Sequence, residues 1–290
     1  MLYKKKEEDA VMCNLCPHHC LIKLGMRGRC GVRENQDGTL YSLNYAKAVS
    51  ASVDPIEKKP LFHFLPGSFS YSVAASGCNL FCRFCQNWQI SQQPKPDKPV
   101  LGQEMPPEEI VDKALEAGCK SIYYTYTEPT IFFEYAYETA RLATAAGLKN
   151  VFVTNGYITE EAIAKISDFL DAANIDLKGF SEDYYRKVCG GGFQPVLDAI
   201  RSYHKRGVFV EITTLIVPGH NENPEMLKRM ADFIASVSVE IPWHISRFHP
   251  DYMMQDVPAT DVEAIHKAAE IGKQAGLKYI YSGNVYGDDL

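Results

Sequence analysis

At 290 residues the chain is long for one ordinary domain but suits a single α/β barrel, and 46% hydrophobic with 23% charged residues allows a large core without staples. Thirty basic side chains against 36 acidic ones leave a formal charge of −6, which gives no support to an extended nucleic-acid surface. The start, Met1-Leu2-Tyr3-Lys4-Lys5-Lys6, is charged, unlike a signal peptide, and no apolar run reaches the length of a membrane span, so a cytoplasmic protein with no nucleic-acid or membrane partner is expected.

Nine cysteines without an export signal point to a reducing compartment, where clustered thiols suggest metal sooner than disulfides. The first cluster lies in residues 11–34. Cys13, Cys16, Cys20 and Cys30 stand at C-x2-C-x3-C-x9-C, with Gly25 and Gly28 available for the tight turns that ligands require. Such a set suits a closed zinc knuckle that folds a small module with little core. It also suits a second iron–sulfur centre that relays electrons; zinc is the simpler reading, because structural zinc held by four cysteines is common. His18 and His19 read as exposed loop residues. Residues 39–50 read as a strand or hairpin leg. From Asp54 to Gly67, Pro55, Pro60 and Pro66 mark an ordered connector in which Lys58, Lys59 and His63 read as solvated loop charges. A boundary near Pro66-Gly67 divides the chain into a four-cysteine module with connector, 1–66, and a second unit, 67–290.

The second unit opens with the strand-like run Ser72-Val73-Ala74-Ala75 and then Cys78, Cys82 and Cys85 at C-x3-C-x2-C. Thiolates are soft ligands that favour zinc, copper or iron–sulfur clusters. A four-iron cluster held by protein alone takes four cysteines, so three with no fourth nearby would leave one iron open. A βα rhythm follows. Helical segments end at Gly118, Gly147, Gly207 and Gly276, and each is followed by a strand-like run. Two further units, 159–176 and 224–246, lack the closing glycine. With the run before Cys78 this makes seven strands, hence a parallel sheet closed into a partial (β/α)6-type barrel. Parallel α/β sheets carry their chemistry at the carboxyl ends of the strands. Those ends hold Cys78, then Thr125-Tyr126-Thr127-Glu128-Pro129, Thr154-Asn155, Asp176-Leu177-Lys178, Thr213-Thr214, Ser246-Arg247-Phe248-His249 and Ser282-Gly283-Asn284.

The three-cysteine motif, with Phe84 just before its third cysteine, resembles the signature of radical S-adenosylmethionine (SAM) enzymes. The resemblance implies a [4Fe-4S] cluster on Cys78, Cys82 and Cys85 whose fourth iron chelates SAM. It further implies an electron donor such as a ferredoxin or flavodoxin, reductive cleavage of SAM to a 5′-deoxyadenosyl radical, and hydrogen abstraction from a substrate. A SAM site needs an acceptor for ammonium, donors for carboxylate, hydroxyl partners for ribose and a flat apolar surface for adenine. Glu128 or Asp176 suits the ammonium or ribose, Lys178 and Arg247 the carboxylate, and His249 the ribose; Thr127 and Asn155 complete the rim. The order of these pieces is similar to glycyl-radical-enzyme activases typified by pyruvate formate-lyase activating enzyme. There a Gly-Gly-Glu-Pro stretch meets the SAM amino group; here Thr127-Glu128-Pro129 keeps the acid without the two glycines. Asp176-Leu177-Lys178 matches that group's Asp-x-Lys, and His249 its histidine near the sixth strand. From Cys13-x2-Cys16-Pro17 through Pro55-Ile-Glu57-Lys58-Lys59-Pro60 to Cys85-Gln86-Asn87-Trp88 and Thr125-Tyr126-Thr127-Glu128-Pro129, the chain resembles the radical SAM proteins of the AmmeMemoRadiSam system. That resemblance implies association with Memo-like and AMMECR-like proteins. Two other functions stay open: a glycyl-radical activase acting on a protein backbone, and a metal-bearing scaffold without catalysis. Cys189, before Gly190-Gly191-Gly192, reads as a loop cysteine, and Tyr124 and Tyr126 as core.

Overall fold

The computed structural model describes residues 2–95, 98–285 and 287; the last positions of the expected second unit, 288–290, lie outside the described residues. The chain begins with β1 (Tyr3–Lys5), β2 (Val11–Cys13) and β3 (Leu21–Ile22), a small antiparallel sheet. A hairpin follows, β4 (Arg33–Gln36) and β5 (Thr39–Ser42). Its two-residue link, Asp37-Gly38, has φ of 51° and 72°, the left-handed pair that matches the twist of the flanking strands.

The main sheet takes β6 (Lys47–Pro55) and β7 (Phe69–Ala75), then α1 (Trp88–Ser91), β8 (Gln103–Glu104), α2 (Pro107–Glu116) and β9 (Ser121–Tyr124). It continues through α3 (Phe133–Ala145), β10 (Lys149–Thr154), α4 (Glu160–Ile166), β11 (Ala172–Asp176), the short α5 (Glu182–Tyr184) and α6 (Gln194–Lys205). It ends with β12 (Phe209–Ile216), α7 (Pro224–Val237), β13 (Trp243–Arg247), α8 (Val262–Gln274) and β14 (Ile280–Gly283). The spatial order is β14-β13-β12-β11-β10-β9-β7-β6-β8. Strands β7 and β9 to β14 run parallel, the seven that the βα rhythm predicts. Among the described residues no helix is long and apolar enough to cross a membrane.

Local chemistry accounts for the helices. In α7 the Asn223 side chain accepts from Glu225 N–H at 2.8 Å, and Pro224 takes the first position, where its missing N–H costs nothing. Leu227, Met230, Ala231 and Ile234 fall at helical spacing and are all buried. α2 repeats the plan, with Pro107 at its start, Glu108 and Glu109 in its first turn, and Ile110, Val111 and Ala114 inward.

The sheet extends further toward the N-terminus than the expected 66/67 boundary. β6 pairs antiparallel with β7 from Ala48↔Ala75 to Pro55↔Phe69. One hydrophobic core joins Val11, Leu15, Ile22 and Val32 of the cysteine module to the barrel. The connector fills the lower lumen. Phe62 and His63 N–H donate to the two oxygens of buried Glu211 at 3.1 and 2.9 Å, and Asn174 Nδ2 donates to Pro60 O at 2.6 Å. His63 Nε2 meets Tyr281 OH at 2.7 Å. Ile56 and Leu61 pack with Tyr123, Val151 and Ala172. Lys59, read as a solvated charge, is instead buried, with Nζ 3.1 Å from Asp54 Oδ2 and 3.6 Å from the centre of the Tyr126 ring. The connector holds one 3-10 turn, Ile56–Lys58, and no α-helix, but loop composition says nothing about partners about 150 residues away.

Candidate active site at the carboxyl ends of the strands

Side chains alternate along a strand, so every second residue faces the lumen. On β11 these are Asn174 and Asp176; on β12, Glu211, Thr213 and Leu215; on β13, His244 and Ser246. The lower members hold the connector. The upper members, Asp176, Thr213, Leu215 and Ser246, line a cavity of about 220 Å³. Cys78, Cys82 and Cys85 line the same cavity, with Phe84, Tyr126, Thr127, Asn155 and Lys178. The sequence therefore brings the three thiols together with Thr127, Asn155, Asp176 and Lys178.

None of the nine cysteines is in a disulfide. Two sulfurs of the trio have polar neighbours at hydrogen-bonding distance. Cys78 Sγ accepts from Leu80 N–H at 3.4 Å and from Asn155 Nδ2 at 3.5 Å. Cys85 Sγ and Ser91 Oγ are 3.2 Å apart. The neighbouring Cys189 thiol and the Lys178 cation lower the Cys82 pKa against the pull of burial. Burial pushes the Cys78 and Cys85 thiols up. One buried and two half-buried cysteines beside N–H and O–H groups and a cation fit a thiolate-held iron–sulfur cluster, whose charge such groups stabilise.

Asp176 and Lys178 form an ion pair at 2.7 Å. Burial works against the Lys178 charge, but Asp176 and the Cys82 sulfur outweigh it and raise its pKa. Thr127 Oγ1 donates to Ala75 O at 2.7 Å, tying the top of β7 to the turn after β9. Tyr126, read as core, lines the cavity from a φ of 65°, a conformation that costs a bulky residue strain. Its hydroxyl donates to Asp54 Oδ2 at 3.0 Å. Burial opposes the Asp54 charge, yet hydrogen bonds from Lys58 and Lys59 hold that carboxyl well below the usual range.

Three expected SAM contacts lie elsewhere. Glu128 is fully buried outside the cavity lining. Its Oε1 accepts from Thr130 N–H at 3.0 Å, Thr130 Oγ1 at 2.6 Å and Thr154 Oγ1 at 2.8 Å; its Oε2 accepts from Asn155 N–H at 2.8 Å. With these donors in place Glu128 fixes the strand ends and has no free face for an ammonium. Arg247 Nε donates to Thr260 O at 2.5 Å, away from the cavity. His249 is exposed at the mouth, 3.0 Å from Gln86 Nε2 through Nδ1.

The four-cysteine set lies directly behind this site. Cys13, Cys16, Cys20 and Cys30 surround a cavity of about 20 Å³ whose far wall is Asn79, Thr130 and Ile131. Gly77 carries the contact between the two cysteine sets: at φ 108°, a Cβ there would stand 3.0 Å from Val32 Cγ1 and 3.2 Å from Cys30 O. His18, read as exposed, instead meets Asn79 O through Nε2 at 2.8 Å. Arg33 is buried against the four thiols and pairs with Glu134 at 2.5 Å, while its Nε has no hydrogen-bond partner among the described residues. No three His, Cys, Asp or Glu side chains among the described residues converge as around a bound ion, so a metal at Cys13–Cys30, and equally a cluster on Cys78, Cys82 and Cys85, would draw the thiols inward.

A family model described as the radical SAM superfamily matches residues 73–234, more than half of the chain. The chain belongs to the radical SAM superfamily. An uncharacterized protein of Methanocaldococcus jannaschii is 46% identical to this radical SAM protein, over 100% of this chain and 86% of its own length. The pyruvate formate-lyase-activating enzyme of Clostridium pasteurianum is 24% identical over 68% of this chain and 87% of its own. Among solved structures, a radical SAM methyltransferase from Sphaerobacter thermophilus shares the fold, with a TM-score of 0.58 at 15% identity over 77% of this chain and 68% of that one. Membership implies radical SAM chemistry, with a [4Fe-4S] cluster and SAM as its cofactors.

Proposed function

We propose that this protein cleaves SAM reductively at a [4Fe-4S] cluster held by Cys78, Cys82 and Cys85, and abstracts hydrogen from a substrate not yet identified. The observation that carries this reading is that three cysteines, one buried and two half-buried, line one cavity with Asp176, Lys178 and Asn155. When bound, the cluster supplies the electron for breaking the sulfonium bond. The chain's own residues bind and orient. Asp176 offers the acceptor for an ammonium or ribose hydroxyl, and Lys178 the donor for a carboxylate. Thr213 and Ser246 supply hydroxyls, and the Tyr126 ring and Leu215 a flat apolar surface for adenine. Thr127 and Asn155 set the two strand ends between which the methionyl group would lie. His249 guards the entrance through Gln86.

The partners that follow are a ferredoxin- or flavodoxin-type electron donor and, from the AmmeMemoRadiSam resemblance, Memo-like and AMMECR-like proteins, in the cytoplasm. The test is anaerobic purification and reconstitution. Iron and sulfide at about four each per chain for this site, with 5′-deoxyadenosine released when reductant and SAM are added, support the proposal. A fully loaded protein that releases none overturns it.

At Cys13, Cys16, Cys20 and Cys30 we infer a second metal, with zinc favoured over a second iron–sulfur cluster by a cavity of about 20 Å³. The buried Arg33 guanidinium offsets the charge of four thiolates. Cys16→Ser is expected to remove this metal, read by elemental analysis, and to leave the deoxyadenosine-forming iron in place.

A further inference from the structure

The three-cysteine loop has an outer face as well as a cavity face. Cys82 is buried and lines the cavity, while Phe81 and Arg83, on either side of it, are exposed and do not. The segment between them is held against the turn that follows β11. Phe81 N–H donates to Cys189 O at 2.8 Å and Arg83 N–H to Val188 O at 2.9 Å. Cys189, read as a loop cysteine, is fully buried. The loop after β13 joins the same spot, where Met253 N–H donates to Arg83 O at 3.0 Å. From the cysteine module, Arg29 donates to Gly190 O at 2.9 Å, and its guanidinium stands 5.0 Å from the centre of the Phe81 ring. Four segments thus meet in one patch, in which Phe81 is 39% and Met253 55% exposed.

The charge of this patch runs against that of the chain. Arg29, Arg83, Arg186 and Lys187 are all exposed in or beside it. Among the described residues no carboxylate pairs with Arg29 or Arg83. The acids nearby are engaged: Asp183 with Arg186 and Lys187 at 3.3 and 2.9 Å, Glu182 with Phe193 N–H at 3.0 Å, and Asp251 with Trp88 Nε1 at 3.3 Å. An aromatic ring and a methionine among arginines is a composition enriched in protein–protein contacts. The other sides of the loop are occupied. Gly77 packs it against Val32 and Cys30 of the module, and the cavity side is where SAM would bind.

We propose that this patch docks an acidic electron-carrier protein, so that the electron enters through the outer face of the ligand loop, at Cys82, and not through the SAM cavity. The proposal rests on the reading that Cys78, Cys82 and Cys85 hold an iron–sulfur cluster. Of the residues adjacent in the chain to one of those cysteines, only Phe81 and Arg83 are exposed. Electron transfer weakens steeply with distance, so a carrier seated on them approaches the cluster while the cavity stays free. One electron passes: the carrier is oxidised and the cluster reduced. Contacts of this kind are small and weak, and unpaired cations on one side steer an acidic partner to them.

The probe is an acidic flavodoxin. Oxidation of its hydroquinone by the reconstituted full chain is followed by stopped flow over a range of salt, and binding of its oxidised form by calorimetry. The wild type is compared with the Arg29→Glu/Arg83→Glu double variant and with Lys228→Glu on α7 as a surface control, at matched iron content. In the double variant the second-order rate and the affinity are expected to fall about tenfold or more at low salt, and the dependence of the rate on salt to flatten. Reduction by a neutral deazaflavin radical, which needs no docking, is expected to keep its wild-type rate, as is K228E with flavodoxin. If R83E disturbs iron uptake, Arg29→Glu/Lys187→Glu takes the place of the double variant, since neither residue adjoins a cysteine of the trio. Wild-type rate and affinity for flavodoxin in these variants overturn the proposal. So does equal slowing with deazaflavin, which puts the effect on the cluster itself, or an equal loss in K228E, which reduces it to net charge. Loss of flavodoxin oxidation in C16S with the trio's iron in place also overturns it, because the electron then enters by way of the four-cysteine site. A wild-type protein that takes up no cluster instead rejects the cluster reading beneath it, and calorimetry still decides the docking face.

Discussion

Cys82→Ala protein, reconstituted anaerobically beside the wild type, is expected to lose the Cys78-site iron and to release 5′-deoxyadenosine at least about 100-fold more slowly. The floor on that number comes from the outer shell: loss of a group that only touches a ligand typically costs 10–100-fold, and here the ligand itself goes. Two thiolates would remain, on Cys78 and Cys85, facing a cavity whose third wall has become a methyl group beside the Cys189 thiol. The Lys178 cation would lose one of the two charges that hold it, keeping Asp176 at 2.7 Å. Deoxyadenosine formation at the wild-type rate in C82A would remove the cysteine assignment altogether. Circular dichroism on the same preparation separates a missing cluster from a missing fold.

The largest stability effect is expected at Glu128. Glu128→Gln replaces one acceptor oxygen by an NH2 group. With the amide oxygen in the Oε1 position, which takes three donors, the nitrogen faces Asn155 N–H, donor against donor. A buried unsatisfied donor costs about 1–3 kcal/mol, and Glu128→Ala, which strands every partner, should exceed about 3 kcal/mol. Urea denaturation reads both. The pH dependence carries a sign. Burial pushes the Glu128 carboxyl up, and hydrogen bonds from Thr130, Asn155 and Thr154 only partly pull it back. A group raised in the fold contributes stability below its unfolded pKa and loses it as pH rises through the folded value. The gap between wild type and E128Q should therefore narrow as pH climbs from about 4.3, the unfolded glutamate value, toward neutrality. A gap that widens over that window would show that the carboxylate, not the acid, is the form the fold prefers.

What could be read from residues alone follows from how local each signal is. The seven parallel strands were legible because turn glycines and apolar runs repeat at βα spacing. The cysteine trio was legible as one group because three thiols within eight residues stay close in any fold. Asp176, Lys178 and Asn155 reach the same cavity because a strand's end fixes the rim. Direction within the rim was not available. Glu128 stands at a strand end like Asp176, but Thr130, two residues on, turns its carboxylate back into the protein. Tyr126 needed its backbone angle, and Cys189 needed the pairing of two loops about 105 positions apart. Lys59 looked solvated because a lysine between prolines usually is; its partners, Asp54 and the Tyr126 ring, meet only after β6 has joined the sheet.

The plugged lumen also dictates an order of assembly. His63 bonds Tyr281, and Phe62 and His63 bond Glu211, so a stretch synthesised earlier is gripped by walls synthesised later. Contacts of such long sequence separation form slowly, because much chain entropy is lost before they reward it. Until β12 to β14 emerge, Ile56, Leu61 and Phe62 lack their enclosing strands, which makes the nascent protein a natural client for chaperones. The cavity thus reaches its final depth only when β12 to β14 have closed over the connector.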